Sequence, residues 1–223
     1  FQVRMNATLL LTRLIGKKMT PFLMEALEDP DPRVVANAIE SIGLLKDAKS
    51  ISILLPFLSH ANHRIRANAA VALHPFWATR KKVLAVIEEL FSSSSVLERS
   101  AGIYVIGQLK LHRYEKALLE LLESKNPKLV QHACVALARM KNPKFCGPFL
   151  ELLLGSDEAL AVETARRLAD IPYVSRLTLF ERVPSLSPEK KSLLFKRLDQ
   201  TPLDFSQEKA LVSGWKEIAP INL

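Results

Sequence analysis

The stretch DPRVVANAIESIG, residues 31–43, decides the fold because its pattern recurs along the chain. A shift of 31 residues aligns Ile65, Asn68, Ala69 and Leu73 with Val34, Asn37, Ala38 and Ile42. Weaker matches to the same pattern occur at shifts of 64, 95 and 126 residues. The repeat is therefore about 31 to 33 residues long, a length typical of stacked helical units.

Each repeat has the sequence pattern of two helices. Asp31-Pro32 and Asn126-Pro127 both place a side-chain N-cap before a proline at the first helical position. Apolar or small residues then recur every four positions and build one apolar helix face. A second apolar segment follows, and because neither helix can bury its face alone, the repeats must stack. The predicted second helices are residues 51–58, 82–91, 116–122 and 145–154.

This pattern resembles the HEAT repeat family, in particular the bacterial HEAT-like repeats that are also found in phycobilisome lyases. The resemblance rests on residues 31–43 and on their echoes in residues 65–69 and 126–133. It implies an all-α fold, a right-handed α-solenoid of stacked antiparallel helix pairs that winds into a HEAT-like superhelix. Because such folds serve many unrelated functions, the resemblance predicts the architecture and leaves the activity open.

Two flanks differ from the repeat. Residues 1–30 are predicted to form a divergent helical pair or cap, residues 31–172 the HEAT-like repeats, and residues 173–223 a C-terminal helical cap. Within the last segment Ser187-Pro188-Glu189 predicts a helix start, and a further helix is expected near residues 205–218. Inside the repeats, Glu98 stands where an apolar residue belongs, so the third repeat is expected to be shifted or irregular.

Composition places the chain among ordered globular proteins. Of its 223 residues 48% are hydrophobic and 24% charged, and no apolar stretch approaches the 18 residues that a bilayer span needs. The only two cysteines, Cys134 and Cys146, lack metal-ligand spacing, which predicts a reduced pair in the cytoplasm. The chain opens at Phe1 without an initiator Met or a signal peptide, so we expect a fragment of a longer protein.

The placement of positive charge points to a binding surface. The four turns that join the two helices within a repeat carry a net charge equal to that of the whole chain, +8, whereas the turns at the opposite edge are slightly negative. Equivalent turns of a solenoid stack along one edge, so a basic ridge about 30 Å long is predicted. The candidate anion-binding residues are Lys46, Lys49, Arg80, Lys81, Lys82, Lys110, Arg113, Lys116, Lys141 and Lys144.

Two interpretations of this basic edge stay open. Trp77, His112 and Tyr114 lie in or beside the same turns and offer stacking or phosphate-contacting groups, which favours binding to nucleic acid, acidic lipid head groups or an acidic protein. Alternatively, lysines and arginines collect at helix C-termini simply because they meet the negative end of the helix dipole there.

No catalytic constellation is recognisable in the sequence. His60 and His63 lack further metal ligands, and there is no phosphate-binding glycine loop and no hydrolase or metalloprotease motif. We therefore predict no catalytic, cofactor-binding or metal residues and no cofactor. Some HEAT-like solenoids resemble DNA glycosylases and others are bilin lyases, but Trp77 and Trp215 lack the carboxylate and basic groove that a glycosylase needs. The leading hypothesis is a non-enzymatic scaffold for another protein or another domain of the same chain, and the alternative is a polyanion binder.

Overall fold

The computed structural model describes residues 20–201, and within that range every regular element is helical. The chain divides into two compact units, Phe1–Leu109 and Lys110–Leu223. The expected helix near residues 205–218 and most of the predicted N-terminal cap lie outside the described residues. The division at residues 30 and 172 stays a prediction.

The first unit is a stack of helices in two layers. Helices α2, α4 and α6 pack side by side in chain order, and α3 and α5 connect them, with the single-turn 3-10 helix Leu55–Ser59 completing the short α3. This is the alternation of first and second helices that the repeat pattern predicts. The helices are α1 (Thr20–Ala26), α2 (Pro32–Leu44), α3 (Ser50–Leu54), α4 (His63–Leu73), α5 (Arg80–Ser92) and α6 (Val96–Leu109).

Side-chain caps fix where the first helices begin. The Asp31 carboxylate accepts a hydrogen bond of 2.8 Å from the Arg33 backbone N–H at the start of α2. At the start of α4 the Asn62 side-chain oxygen accepts a hydrogen bond of 2.9 Å from the Arg64 backbone N–H. Each cap satisfies an N–H group that the helix itself leaves unpaired. The cap therefore fixes the helix start at the residue where the apolar pattern also begins.

The periodic row of the sequence forms the core of the first unit. Val34, Ala38 and Ile42 are all buried, and two neighbouring first helices approach each other closely at Gly43. A β-carbon on this residue would lie 2.6 Å from the β-carbon of Ala72, so only glycine lets α2 and α4 meet there.

The third repeat keeps the register of the others, contrary to the expectation drawn from Glu98. Helix α6 is continuous, and Gly102 and Ile106 are buried at the positions that the period assigns to them. Glu98 itself forms an ion pair with Arg66 of the preceding repeat, which explains the acidic residue at this position.

The second unit continues the same helix-pair pattern. Helix α8 packs against α7 and α9, and α10 packs against α9. A buried hydrogen bond of 2.7 Å from Gln131 Nε2 to Thr164 Oγ1 joins the two first helices α8 and α10. The helices are α7 (Glu115–Leu121), α8 (Pro127–Arg139), α9 (Cys146–Leu154), α10 (Glu158–Arg166), α11 (Tyr173–Phe180) and α12 (Pro188–Asp199).

The described part of the C-terminal segment contains one expected and one unexpected helix. Helix α12 begins after Ser187 as its cap-plus-proline start predicts, and it packs against α9 and α10. Helix α11 had no counterpart in the sequence-based prediction, because no side-chain cap marks its start after Pro172.

Candidate functional site

In the first unit the structure brings the two basic turns together. The Gly43–Ala72 contact joins the C-terminal ends of α2 and α4, so the turns that follow them, residues 44–50 and 75–82, are neighbours. The one carboxylate in these turns, Asp47, accepts a hydrogen bond of 3.0 Å from the Lys49 backbone N–H. The exposed cations of this surface are Lys46, Lys49, Arg80, Lys81 and Lys82, and none of them has an ion pair within residues 20–201. We call these two turns the first-unit basic surface.

In the second unit a hydrogen bond connects the two basic turns. Asn142 Nδ2 donates to Glu115 Oε1 at 2.6 Å, and His112 Nδ1 lies 3.3 Å from the other Glu115 oxygen. These contacts, the Asn142 bond foremost, hold the pKa of Glu115 below its ordinary value. A carboxylate is thus fixed among the cations of these turns. The predicted site residues here are Lys110, Arg113, Lys116, Lys141 and Lys144, all exposed.

The two basic turns are neighbours within each unit. Their role as an anion-binding edge, and one continuous ridge of four turns, stay predictions. The guanidinium of Arg113 lies 4.7 Å from the centroid of the Tyr114 ring. Tyr114 itself is buried, so the expectation that its ring offers a stacking surface is wrong.

The helix dipole accounts for only part of the basic edge. Lys46, Lys110 and Lys141 follow the C-terminal ends of α2, α6 and α8, where a cation meets the negative end of the dipole. Arg80, Lys81 and Lys82 are instead the first three residues of α5, and this first turn contains no acidic residue. A cation is disfavoured at that end of a helix, so helix-end preference does not explain these three residues.

The three lysines after the first helices also have an unusual backbone. Lys46, Lys110 and Lys141 have φ values of 50°, 51° and 63°, the left-handed conformation that normally selects glycine at this position. In the second repeat Pro75 stands at the corresponding place, and its ring fixes φ near −65°. The turn of residues 75–82 is therefore built differently from the other three.

Trp77 is the most exposed large apolar residue in the described part of the chain, with 80% of its surface accessible. It opens the single-turn 3-10 helix Trp77–Thr79, and the buried position of that turn is taken by Thr79. The equivalent turns His112–Tyr114 and Pro143–Phe145 likewise expose their first residue and bury their third. The fold therefore needs no aromatic residue at position 77.

The turn holds Trp77 in a defined place. The Thr79 hydroxyl lies 2.7 Å from the Leu73 carbonyl oxygen and 2.9 Å from that of Phe76, so it ties the turn to the end of α4. The Arg80 guanidinium carbon lies 5.4 Å from the centroid of the indole ring, within the range of a cation–π contact. Trp77 and Arg80 thus form one exposed pair on a fixed turn.

Sequence analysis missed two buried arginines that join successive repeats. Arg66, 9% exposed, has Nη1 2.6 Å from Glu89 Oε1 and forms a second ion pair with Glu98. In the second unit Arg197, 3% exposed, lies 2.8 Å from Glu158 Oε2. It also donates to the carbonyl oxygens of Leu153 and Gly155. The unexpected Glu98 was the one sequence signal for such a contact.

The remaining chemically notable side chains are structural. Cys134 and Cys146 are both buried, and burial raises the pKa of the Cys134 thiol to about 12. His60 and His63 lie at the start of α4, and no group of three or more potential ligands in residues 20–201 could hold a metal ion. No helix in the same range has both the length and the apolar character to cross a membrane.

Comparison with known proteins identifies the family. A family model described as HEAT repeats matches residues 1–74 and 83–169, more than half of the chain, so the chain belongs to the HEAT repeat family. The two matched segments leave out residues 75–82, the turn that contains Trp77 and the three cations of α5. No curated protein matches the chain in sequence.

A solved structure supports the same fold. The chain is similar to phycocyanin lyase from Nostoc sp. PCC7120, solved as the complex of CpcE and CpcF, with a TM-score of 0.55. The match covers 98% of this chain and 90% of that chain at 18% sequence identity. At this identity the likeness concerns the fold alone. The all-α helical repeat architecture is therefore confirmed.

Proposed function

We propose that this HEAT-repeat chain is a non-enzymatic scaffold that binds another protein or another domain of its own chain. The observation that supports it most directly is the first-unit basic surface, where exposed cations and an exposed tryptophan take no part in holding the repeats together. Groups that a fold does not need, concentrated on one rigid surface, are typical of a binding site. The similar lyase structure, being a complex of two proteins, agrees with this proposal.

Site-specific cross-linking tests the scaffold proposal. A photo-activated cross-linker placed at exposed Ala78, inside the basic turn, is compared with one at exposed Ser94, at the opposite edge of the same unit. We expect the cross-linker at residue 78 to capture one protein in the native lysate and the one at residue 94 to capture much less of it. Recovery of no protein at either site, or turnover of a substrate by the purified chain, would contradict the proposal.

Binding of a polyanion is the second candidate, and it is favoured because Arg80, Lys81 and Lys82 form no ion pair with any residue in the described range 20–201. Such binding weakens steeply with salt, because each neutralised phosphate releases condensed counterions. Fluorescence anisotropy of a labelled 20-base-pair duplex at about 50 and 200 mM salt tests this. Affinity that drops by orders of magnitude between the two conditions would support it, and no binding at low salt would reject it.

A further inference from the structure

We infer that the first-unit basic surface binds an acidic protein segment that carries an apolar side chain beside its carboxylates, with Trp77 as the central contact. This inference rests on the proposed scaffold function and names the partner class. It depends on three features of the surface, which are its uncompensated charge, its exposed apolar groups and the rigidity of the turn that presents them.

The charge of the surface selects an acidic partner. Arg80, Lys81 and Lys82 lie in the first turn of α5, which contains no acidic residue, and none of them forms an ion pair within the described residues. Their positions at the positive end of the helix dipole disfavour them in the isolated fold. A partner that brings carboxylates relieves both the mutual repulsion and the dipole penalty. Asp47, which accepts a hydrogen bond from the Lys49 backbone N–H, is one carboxylate against the five cations of the first-unit basic surface.

The apolar groups favour a protein segment over a phosphate backbone. Trp77 is 80% exposed, and Leu44, on the neighbouring turn, is 49% exposed. An indole can stack on a nucleic-acid base, but an aliphatic side chain such as Leu44 gains little from phosphates and riboses. A peptide can use both, because its apolar side chains can cover Trp77 and Leu44 while its carboxylates meet the cations. Tryptophan and arginine are also the residues that most often dominate binding energy at protein interfaces.

The surface is built in advance of binding. The Thr79 hydroxyl fixes the turn against the end of α4, and the Gly43–Ala72 contact fixes the spacing of the two turns. A preorganised surface loses little conformational freedom when a partner binds.

A defined peptide tests the inference with the whole chain. The probe is a fluorescein-labelled 12-residue peptide in which a Phe-Leu pair is flanked on each side by five acidic residues. Its two controls replace the Phe-Leu pair by Ser-Ser, or all acidic residues by Gln or Asn. We expect the probe to bind at about 50 mM salt, with affinity at least 10-fold above either control. Binding no tighter than the Ser-Ser control, or no binding at all, would overturn the inference.

Variants localise the binding. We expect Trp77→Ala to weaken the probe about 10- to 30-fold, as hot-spot aromatic residues do, and Lys81→Glu with Lys82→Glu to abolish the binding at low salt. Matched controls are Leu97→Ala, which removes another exposed apolar residue, and Lys125→Glu with Lys128→Glu, which reverses two exposed lysines of the second unit. These should leave affinity within about twofold, and an equal effect of test and control variants would contradict the assignment.

Two further outcomes separate this inference from others. A labelled 20-nucleotide single strand that binds more tightly than the peptide, and that also depends on Trp77, would show a nucleic-acid surface and overturn the acidic-peptide assignment. If the peptide fails while the cross-linker at residue 94 captures a protein, the scaffold function stands at another surface and this inference alone falls.

Discussion

Arg66 and Arg80 show the two ways in which the first unit uses positive charge. Arg66 lies between successive repeats, with 11% of its side chain exposed and two carboxylates on its guanidinium. Arg80 lies in the turn within a repeat, exposed and in contact with the indole of Trp77. The second unit repeats the contrast, because Arg197 is buried between repeats whereas Lys110 is exposed in a turn. The difference separates cations that hold repeats together from cations that the fold tolerates.

The two kinds of cation also differ in how their charge is balanced. Cations between repeats are neutralised by Glu89, Glu98 or Glu158, so they add nothing to the field of that edge. Within residues 20–201 no ion pair forms at Arg80, Lys81 or Lys82 of the first unit, and in the second unit the Glu115 carboxylate lies among the turn cations. The excess charge of the chain is therefore concentrated where it contributes least to stability, which is the pattern expected when binding and folding place opposite demands on a surface.

The largest change in stability is expected at Arg197, the buried cation of the second unit. Arg197→Ala should lower the free energy of unfolding by about 2–4 kcal/mol, because Glu158 and the carbonyl oxygens of Leu153 and Gly155 all lose their donor. Urea denaturation followed by circular dichroism measures the change, and Arg197→Lys should recover part of it. A loss below about 1 kcal/mol would show that this arginine is not a structural link.

A smaller loss is expected for the buried cation of the first unit. Arg66→Ala should cost about 1–3 kcal/mol, less than Arg197→Ala, because the partners of Arg66 are two carboxylates that water can reach whereas Arg197 also donates to two backbone carbonyl oxygens. The loss should also depend on pH. The Ser93 hydroxyl, and then Arg66, hold the pKa of Glu98 below its ordinary value of 4.5. The ionised Glu98 therefore stabilises the fold above that value, and this stabilisation disappears as the pH falls through the folded-state pKa.

Denaturation of the wild type and Arg66→Ala at pH 7 and at about pH 3 checks this dependence. The difference between the two proteins should shrink in acid. A difference that stays constant across this range would mean that Arg66 acts through packing of its aliphatic stem and not through Glu98.

In the basic turn of residues 75–82 we expect substitution to raise the free energy of unfolding instead of lowering it. Lys81→Glu with Lys82→Glu should raise the free energy of unfolding by about 0.5–1 kcal/mol, because carboxylates suit the first turn of α5 and the repulsion around Arg80 falls. The same denaturation experiment at low salt measures the gain, and about 0.5 M salt should reduce it. Destabilisation by this double substitution would show that the two lysines support the fold, and the contrast between the edges would fail.

The smallest change in stability is expected at the three lysines whose backbone is in the left-handed conformation. Lys46→Gly, Lys110→Gly and Lys141→Gly each relieve a positive φ but also remove a cation from a helix C-terminus. The two effects offset, so each substitution should change stability by less than about 0.5 kcal/mol. Thermal and urea unfolding of the triple variant gives the best precision, with Lys125→Gly as the comparison at a position that Gly does not favour.

The fold was predictable because the repeat makes its apolar residues periodic. Val34, Ala38 and Ile42 recur with the right spacing in later repeats, and burial of such a row requires stacked helix pairs. Helix starts were predictable where an Asp, Asn or Ser precedes proline, as at Pro32 and Pro188. The start of α11 after Pro172 lacks such a cap, and it was missed for that reason.

The location of the candidate site could be predicted from the sequence, but the contacts and the exposure of its side chains could not. The cations could be assigned to turns because turns interrupt the apolar pattern, yet nothing in the sequence separates the helix-end lysines from the three cations that begin α5. The ion pair between Arg66 and Glu98 joins residues 32 positions apart, and an apolar period does not encode such a contact. The exposure of Trp77 depends on which residue of its turn fills the buried position, and Thr79 does so here.

The two buried cysteines allow opening of the second unit to be measured by thiol labelling. Both belong to the second unit, while residues 1–109 contain none, so a thiol reagent detects opening of the second unit alone. With its pKa raised to about 12, Cys134 reacts only when its helix opens to water. The rate of labelling against reagent concentration then reports how often that unit opens. Because the first unit can open without any labelling, comparison of the labelling rate with unfolding followed by circular dichroism, which reports on both units, shows whether they unfold together or one after the other.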